Sequence, residues 1–139
     1  MSPSRILVAL IKRFEGLRLR GYLCSAGVPT CGYGSTGPGI TLATTWTPAQ
    51  AEARMQIDAL VFQQGAATAC PNANEAQLAA LADFAYNLGL TRLRASTLRK
   101  RVLAQNWPGA RRELQKWVRG GGRVLPGLVA RRAAEAALL

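Results

Sequence analysis

The sequence contains no histidine. That removes the Ser/His and Cys/His pairs that activate many nucleophiles, so proton transfer falls to a carboxylate, a thiol, a hydroxyl or water. Cysteine is scarce as well. Cys24, Cys31 and Cys70 make an odd number with no Cys-x-x-Cys spacing, which argues strongly against a structural zinc site with its four Cys or His ligands. Acidic residues number 7 against 18 basic ones, a formal net charge of +11. A balance this lopsided fits either solubility alone or a polyanionic partner: nucleic acid, lipopolysaccharide, an anionic membrane or a cell-wall polymer. No basic-aromatic nucleic-acid motif is present, which argues against specific nucleic-acid binding. Long apolar runs are also missing. Ile6–Ile11 holds six apolar residues, far fewer than the ~18 that span a bilayer. Lys12-Arg13 follow it with no small-residue cleavage site, so neither a transmembrane segment nor an export signal is expected.

At 139 residues and 49% hydrophobic, the chain can bury one core, or two small lobes sharing a long helix. Ser2-Pro3-Ser4 can cap a first helix, and Ile6, Leu7, Leu10, Ile11 and Phe14 recur at helical spacing up to a stop at Gly16. Glu15, the only carboxylate in the first 51 residues, falls on the last turn of that helix. The partial negative charge of a helix C-terminus disfavours an ionised acid, so the position suits a proton donor. Residues 17–34 alternate loosely between glycines and predict a small sheet of two or three strands, closed by a turn at Gly37-Pro38-Gly39.

Thr47 with Gln50 reads as a capping box opening a helix of about 17 residues, and Gly65–Pro71 reads as the break after it. Asn74 with Gln77 caps the most apolar helix, which Gly89 terminates. A short basic helix over Ser96–Leu103, another starting at Pro108, a loop at Gly120-Gly121-Gly122 and a last helix over Leu128–Leu138 complete the reading. Arg131 and Arg132 are expected on the polar side of that last helix, and Asp83 as a capping or salt-bridging surface acid. The remaining arginines of the second half read as a solvated face. Trp46, Trp107 and Trp117 fit staple or core roles better than sugar stacking, and Cys31 and Cys70 read as structural.

Three separated blocks carry a resemblance to a known family. They are Phe14-Glu15-Gly16-Leu17-Arg18-Leu19 running on to Gly32-Tyr33-Gly34; Ala82-Asp83-Phe84-Ala85-Tyr86-Asn87-Leu88-Gly89; and Gly121–Val129 with Arg131-Arg132 and Glu135. In that order they resemble the bacteriophage endolysins of the T4 lysozyme type, glycoside hydrolases that cut peptidoglycan. The family pattern is Glu, eight residues, Asp or Cys, five residues, Thr, and Glu15, Cys24 and Thr30 meet it without a gap. The resemblance implies an α+β, mostly α fold in a single domain over residues 1–139. A small β-containing lobe over about 14–46 would be joined by a helix over about 47–64 to a helical lobe over about 65–139 plus the first helix. It also implies hydrolysis of the β-1,4 bond between N-acetylmuramic acid and N-acetylglucosamine, with lytic transglycosylation of the same bond as the runner-up. A non-enzymatic, cationic membrane-disrupting protein is the alternative from another class.

By the same resemblance Glu15 would be the general acid, Cys24 would activate or position water, and Thr30 would help to hold the nucleophile. No cofactor or metal is implied. The expected partner is a peptidoglycan glycan strand, with attraction to an anionic outer-membrane or wall surface. The expected state is a monomer that stays in the host cytoplasm until it is released to the wall. Two departures stand out. Glycosidases commonly use two carboxylates, yet the second position here is a thiol. Ser35 follows Gly-Tyr-Gly where relatives typically carry histidine, so a loss of packing or hydrogen bonding is expected there.

Overall fold

A computed structural model of the chain describes residues 1–139, folded into seven helices and two small antiparallel hairpins. Helix α1 (Arg5–Glu15) starts on Ser4, whose hydroxyl accepts from the amides of Ile6 and Leu7. It buries Leu7, Leu10 and Ile11, and ends at Gly16, whose φ of 69° turns the chain away immediately after Glu15. Strands β1 (Arg18–Leu23) and β2 (Pro29–Gly32) form the predicted sheet with two strands, and the register is irregular between Arg18 and Tyr22. An isolated bridge from Arg20 to Thr45 ties β1 to the segment leading into the next helix.

Helix α2 (Pro48–Ala69) opens on the predicted capping box of Thr47 and Gln50 but runs for 22 residues. At 1.5 Å per residue that is about 33 Å, enough to span a small domain. The expected break at Gly65 is absent. A Cβ there would run into the side chain of Leu90, so this glycine lets another element approach closely rather than ending the helix. Ile57 and Val61 lie exposed; Ala51, Met55, Ala59, Ala66 and Ala69 are the residues it buries.

Helix α3 (Glu75–Leu88), capped by Asn74 and Gln77 as expected, is the centre of the fold. Seven consecutive residues, Ala79 to Ala85, are buried, so this helix is enclosed on all sides by α1, α2, α4 (Leu90–Ala95) and α7 (Pro126–Ala136). Phe84 meets Trp117 edge to face at 5.4 Å. Helices α5 (Thr97–Leu103) and α6 (Trp107–Leu114) close the helical side. The predicted glycine loop is a tight hairpin instead: β3 (Arg119–Gly120) and β4 (Arg123–Val124) pair around Gly121-Gly122, both at positive φ. No helix is long and apolar enough to cross a membrane.

Candidate active site

Glu15, Cys24 and Thr30 all line one cleft of about 640 Å³. The β1–β2 hairpin forms one wall, and Tyr86, Asn87, Arg92, Arg119 and Leu128 contribute to the other. None of the three tryptophans lines it. Each predicted residue reaches the cleft for a local reason. Glu15 is the last residue of α1, and Gly16 carries the chain away so that its side chain faces the opening. Cys24 sits where β1 enters its turn: its amide donates to the Val28 carbonyl at 3.0 Å, and its carbonyl accepts from Gly27 at 2.8 Å. Thr30 lies on β2 opposite Tyr22 and is buried, its hydroxyl 2.8 Å from the Val28 carbonyl.

Glu15 is held on two sides. Arg131 Nη1 donates to Glu15 Oε2 at 2.6 Å. The other oxygen, Oε1, lies against Gly34, where a Cβ would press into the carboxylate; Gly34 also has a φ of +80°. Arg131 is fixed in turn by Asp83, with Nε to Oδ2 at 2.9 Å and Nη2 to Oδ1 at 2.8 Å, the bidentate fork that a planar guanidinium makes with a carboxylate. The expected salt bridge of Asp83 is present, but its expected surface position and the polar side expected for Arg131 are not. Asp83 is 0% exposed and Arg131 3% exposed, because α3 and α7 pack face to face and each charge neutralises the other inside.

Arg132, likewise expected on a polar side, is 0% exposed, with its guanidinium over the Phe84 ring at 5.1 Å and a hydrogen bond to Asn87. Glu135 Oε1 lies 3.0 Å from Arg132 Nη1 but out of hydrogen-bond alignment. This acidic and basic cluster is therefore the inner support of Glu15. The sequence did carry one signal of it. Asp83 interrupts the apolar run Ala79–Ala85, and an acid in a helix that is apolar all round must be buried and paired.

The ionisation of the site follows from this packing. Burial works to raise the Cys24 thiol. The backbone amides of Val28 and Ala26 and the Thr30 hydroxyl favour the thiolate more strongly, and the balance holds Cys24 below the ordinary thiol value. Thr30 has one hydroxyl proton, which lies on the Val28 carbonyl in this arrangement and reaches the sulfur by rotating. Arg18 is not the cause, since its guanidinium stacks over Tyr22 at 4.2 Å. Burial opposes the charge on Arg131, but its bonds to Asp83 and Glu15 prevail and keep it protonated. For Asp83, burial acts upward, and the neighbouring Glu135 together with the hydrogen bonds from Arg131 outweigh it, leaving the carboxyl below the usual range. Glu135 goes the other way: burial and the neighbouring Asp83 push it up against the pull of Arg132, so it carries the proton of the acidic pair.

Burial raises the Tyr86 hydroxyl, which donates to the Tyr33 carbonyl at 2.6 Å; it is a structural donor, not an acid–base group. Ser35 is not left without a partner, as it is buried and donates to Asp58 Oδ2 at 2.8 Å, while Arg54 Nε meets Oδ1 at 3.0 Å. All three cysteines are free thiols, and Cys31 is buried, in keeping with a structural role.

A hairpin facing a helical body across a cleft, with one clamped glutamate between them, is the layout of a lysozyme-like glycoside hydrolase. Comparison with known proteins agrees. The phage lysozyme family model matches residues 12–135. An endolysin of Acyrthosiphon pisum secondary endosymbiont phage 1 is 39% identical over 140 residues, covering 94% of this chain and 92% of that protein. Endolysins of Bacillus phages B103 and PZA also match, but the chain spans only about half of their length, 54% and 55%. Among solved structures, the endolysin from Escherichia coli O157:H7 phage FAHEc1 superposes with a TM-score of 0.84 at 33% identity, over 99% of this chain and 92% of that one. The muramidase domain of SpmX from Asticaccaulis excentricus gives 0.86 at 29% identity, over 97% and 95%. The chain belongs to the phage lysozyme family.

Proposed function

We propose that this protein is a peptidoglycan-degrading endolysin that hydrolyses the β-1,4 bond between N-acetylmuramic acid and N-acetylglucosamine and so lyses the host. The observation that carries the reading is that Glu15 is the one carboxylic acid lining the cleft and is clamped by Arg131 at 2.6 Å. A glycan strand lying in the cleft puts its glycosidic oxygen against Glu15, which donates the proton as the bond from C1 to the leaving oxygen breaks. Water attacks C1, and Cys24, with its thiolate favoured by the turn amides, takes the proton that this water loses. Thr30 supports the sulfur through its hydroxyl. Fixing Glu15 between Arg131 and Gly34 spares the reaction the entropy of orienting its acid.

Turbidity clearing of purified Gram-negative walls, with mass spectrometry of the fragments, tests the reading. Wild type is expected to clear walls and release reducing ends at N-acetylmuramic acid. Glu15→Gln is expected to lose about 10²–10⁴-fold, the usual worth of a general acid. Unimpaired clearing by Glu15→Gln would end the enzymatic account, and anhydromuramic ends would replace hydrolysis by transglycosylation.

A further inference from the structure

Arg131 takes one oxygen of Glu15, and the other, Oε1, rests on Gly34 in a short turn. The turn is closed on itself: the Cys31 amide donates to the Ser35 carbonyl at 3.0 Å, and the Ser35 amide returns a bond to the Cys31 carbonyl at 2.9 Å. Three helices fasten it from outside. From α1, Lys12 Nζ lies 5.6 Å from the centre of the Tyr33 ring. From α2, Asp58 accepts from the Ser35 hydroxyl at 2.8 Å, and Arg54 donates to the Thr36 carbonyl at 2.7 Å. From α3, the Tyr86 hydroxyl donates to the Tyr33 carbonyl at 2.6 Å. The α2 bonds fall beyond Gly34, and the α1 contact is to a ring. Only the Tyr86 bond is made on the peptide group that joins Tyr33 to Gly34.

That peptide needs holding. Tyr33 stands between Gly32 and Gly34, both at positive φ, and glycine gives the backbone more freedom than any other residue. Packing alone does not call for the hydroxyl, since the ring is already placed edge-on to Phe62 at 5.4 Å. Burial holds its proton well past neutral pH, so it remains a donor while the enzyme works. We propose that Tyr86 is a positioning residue for the cleavage: its hydroxyl fixes the Tyr33–Gly34 peptide, and with it the surface on which Glu15 Oε1 rests. The inference rests on the muramidase reading given above. Because Arg131 engages Oε2, Oε1 is the oxygen left to carry the proton to the glycosidic oxygen. A group that aims the acid acts in the transition state, so its contribution falls on kcat more than on KM.

The test is Tyr86→Phe, which deletes the hydroxyl and keeps the ring that lines the cleft. Both kcat and KM are read by release of reducing ends from soluble glycan strands, with a thermal melt alongside. The variant is expected to lose about tenfold in kcat, part of the ~10²-fold that a 1 Å misplacement costs, while KM moves less than about twofold. In the Glu15→Gln background the same substitution is expected to change the residual rate by less than about twofold, because no acid is left to aim. Asn72→Ala deletes a comparable bond away from the cleft, from Asn72 Nδ2 to the Val102 carbonyl at 2.8 Å, and is expected to keep the wild-type kcat. The proposal is overturned if Tyr86→Phe keeps kcat or if its loss falls on KM, which would put the hydroxyl on the substrate. It is overturned equally if the loss persists without Glu15, or if Asn72→Ala loses as much. Absence of reducing ends from wild-type digests would instead overturn the muramidase reading, and this inference with it.

Discussion

The two supports of the cleft are built in different ways. On the hairpin, each bond that sets Cys24 and Thr30 joins near neighbours: Cys24 to Val28, Gly27 to Cys24, Thr30 to Val28. Behind Glu15, the bonds run across the whole chain, at sequence separations of 116 for Glu15 to Arg131 and 48 for Arg131 to Asp83. The hairpin displays its chemistry at the surface and is set by turn geometry. The α3–α7 contact hides its chemistry, and its charges persist there only because each is paired. The same side-chain type thus stands in two settings in one molecule. Arg92 and Arg119 are free and face the cleft, whereas Arg131 and Arg132 are buried.

Breaking the buried side should have the largest effect. Asp83→Ala leaves Arg131 without its fork, and removing one partner of a buried pair costs about 3–5 kcal/mol, measurable by denaturant unfolding. The pair also sets a pH dependence. The folded-state value of Asp83 lies below its unfolded one, so its contribution is present at neutral pH and is lost as the pH falls through the folded value. Asp83→Asn should accordingly flatten the acid side of the stability profile, and an unchanged profile would count against the pairing.

The junction of the two walls comes next. Gly34→Ala forces a side chain into the left-handed region and against Glu15, and displacing a catalytic group by ~1 Å is expected to cost about 10²-fold in kcat. Wall digestion together with a thermal melt separates this from simple unfolding, since the strain alone is worth only about 1–3 kcal/mol.

The hairpin should respond in pH more than in rate. If Cys24 accepts the proton of water as thiolate, activity rises with pH through the value of Cys24, which lies below the ordinary thiol range. Cys24→Asp replaces it with a group that is ionised down to about pH 4, so the acid limb should move to lower pH while activity is kept. A pH profile identical to wild type would remove Cys24 from the proton transfer.

This contrast also explains what could be read from the sequence. The starts of α1, α2 and α3 were legible because capping is a contact over three residues, and the spacing of Glu15, Cys24 and Thr30 was legible because one short stretch carries all three. Gly65 misled, because a glycine that admits Leu90 looks the same in sequence as one that ends a helix. The Gly121-Gly122 turn read as loose loop, because its strands are two residues each. Asp83, Arg131 and Arg132 read as surface charge because what covers them lies on other helices, and periodicity reports which face is polar, not which polar face is covered.

We propose that α7 serves the reaction through Glu15. A double-mutant cycle of Arg131→Lys and Glu15→Gln, read as kcat on purified walls, addresses it directly. Lysine keeps the positive charge beside Asp83 but loses the planar fork that aims at both acids. The account predicts about a tenfold loss from Arg131→Lys in the wild-type background, the scale of one misaimed charge-assisted bond, and almost none in the Glu15→Gln background. Equal losses in both backgrounds would show that Arg131 acts elsewhere, and would contradict it.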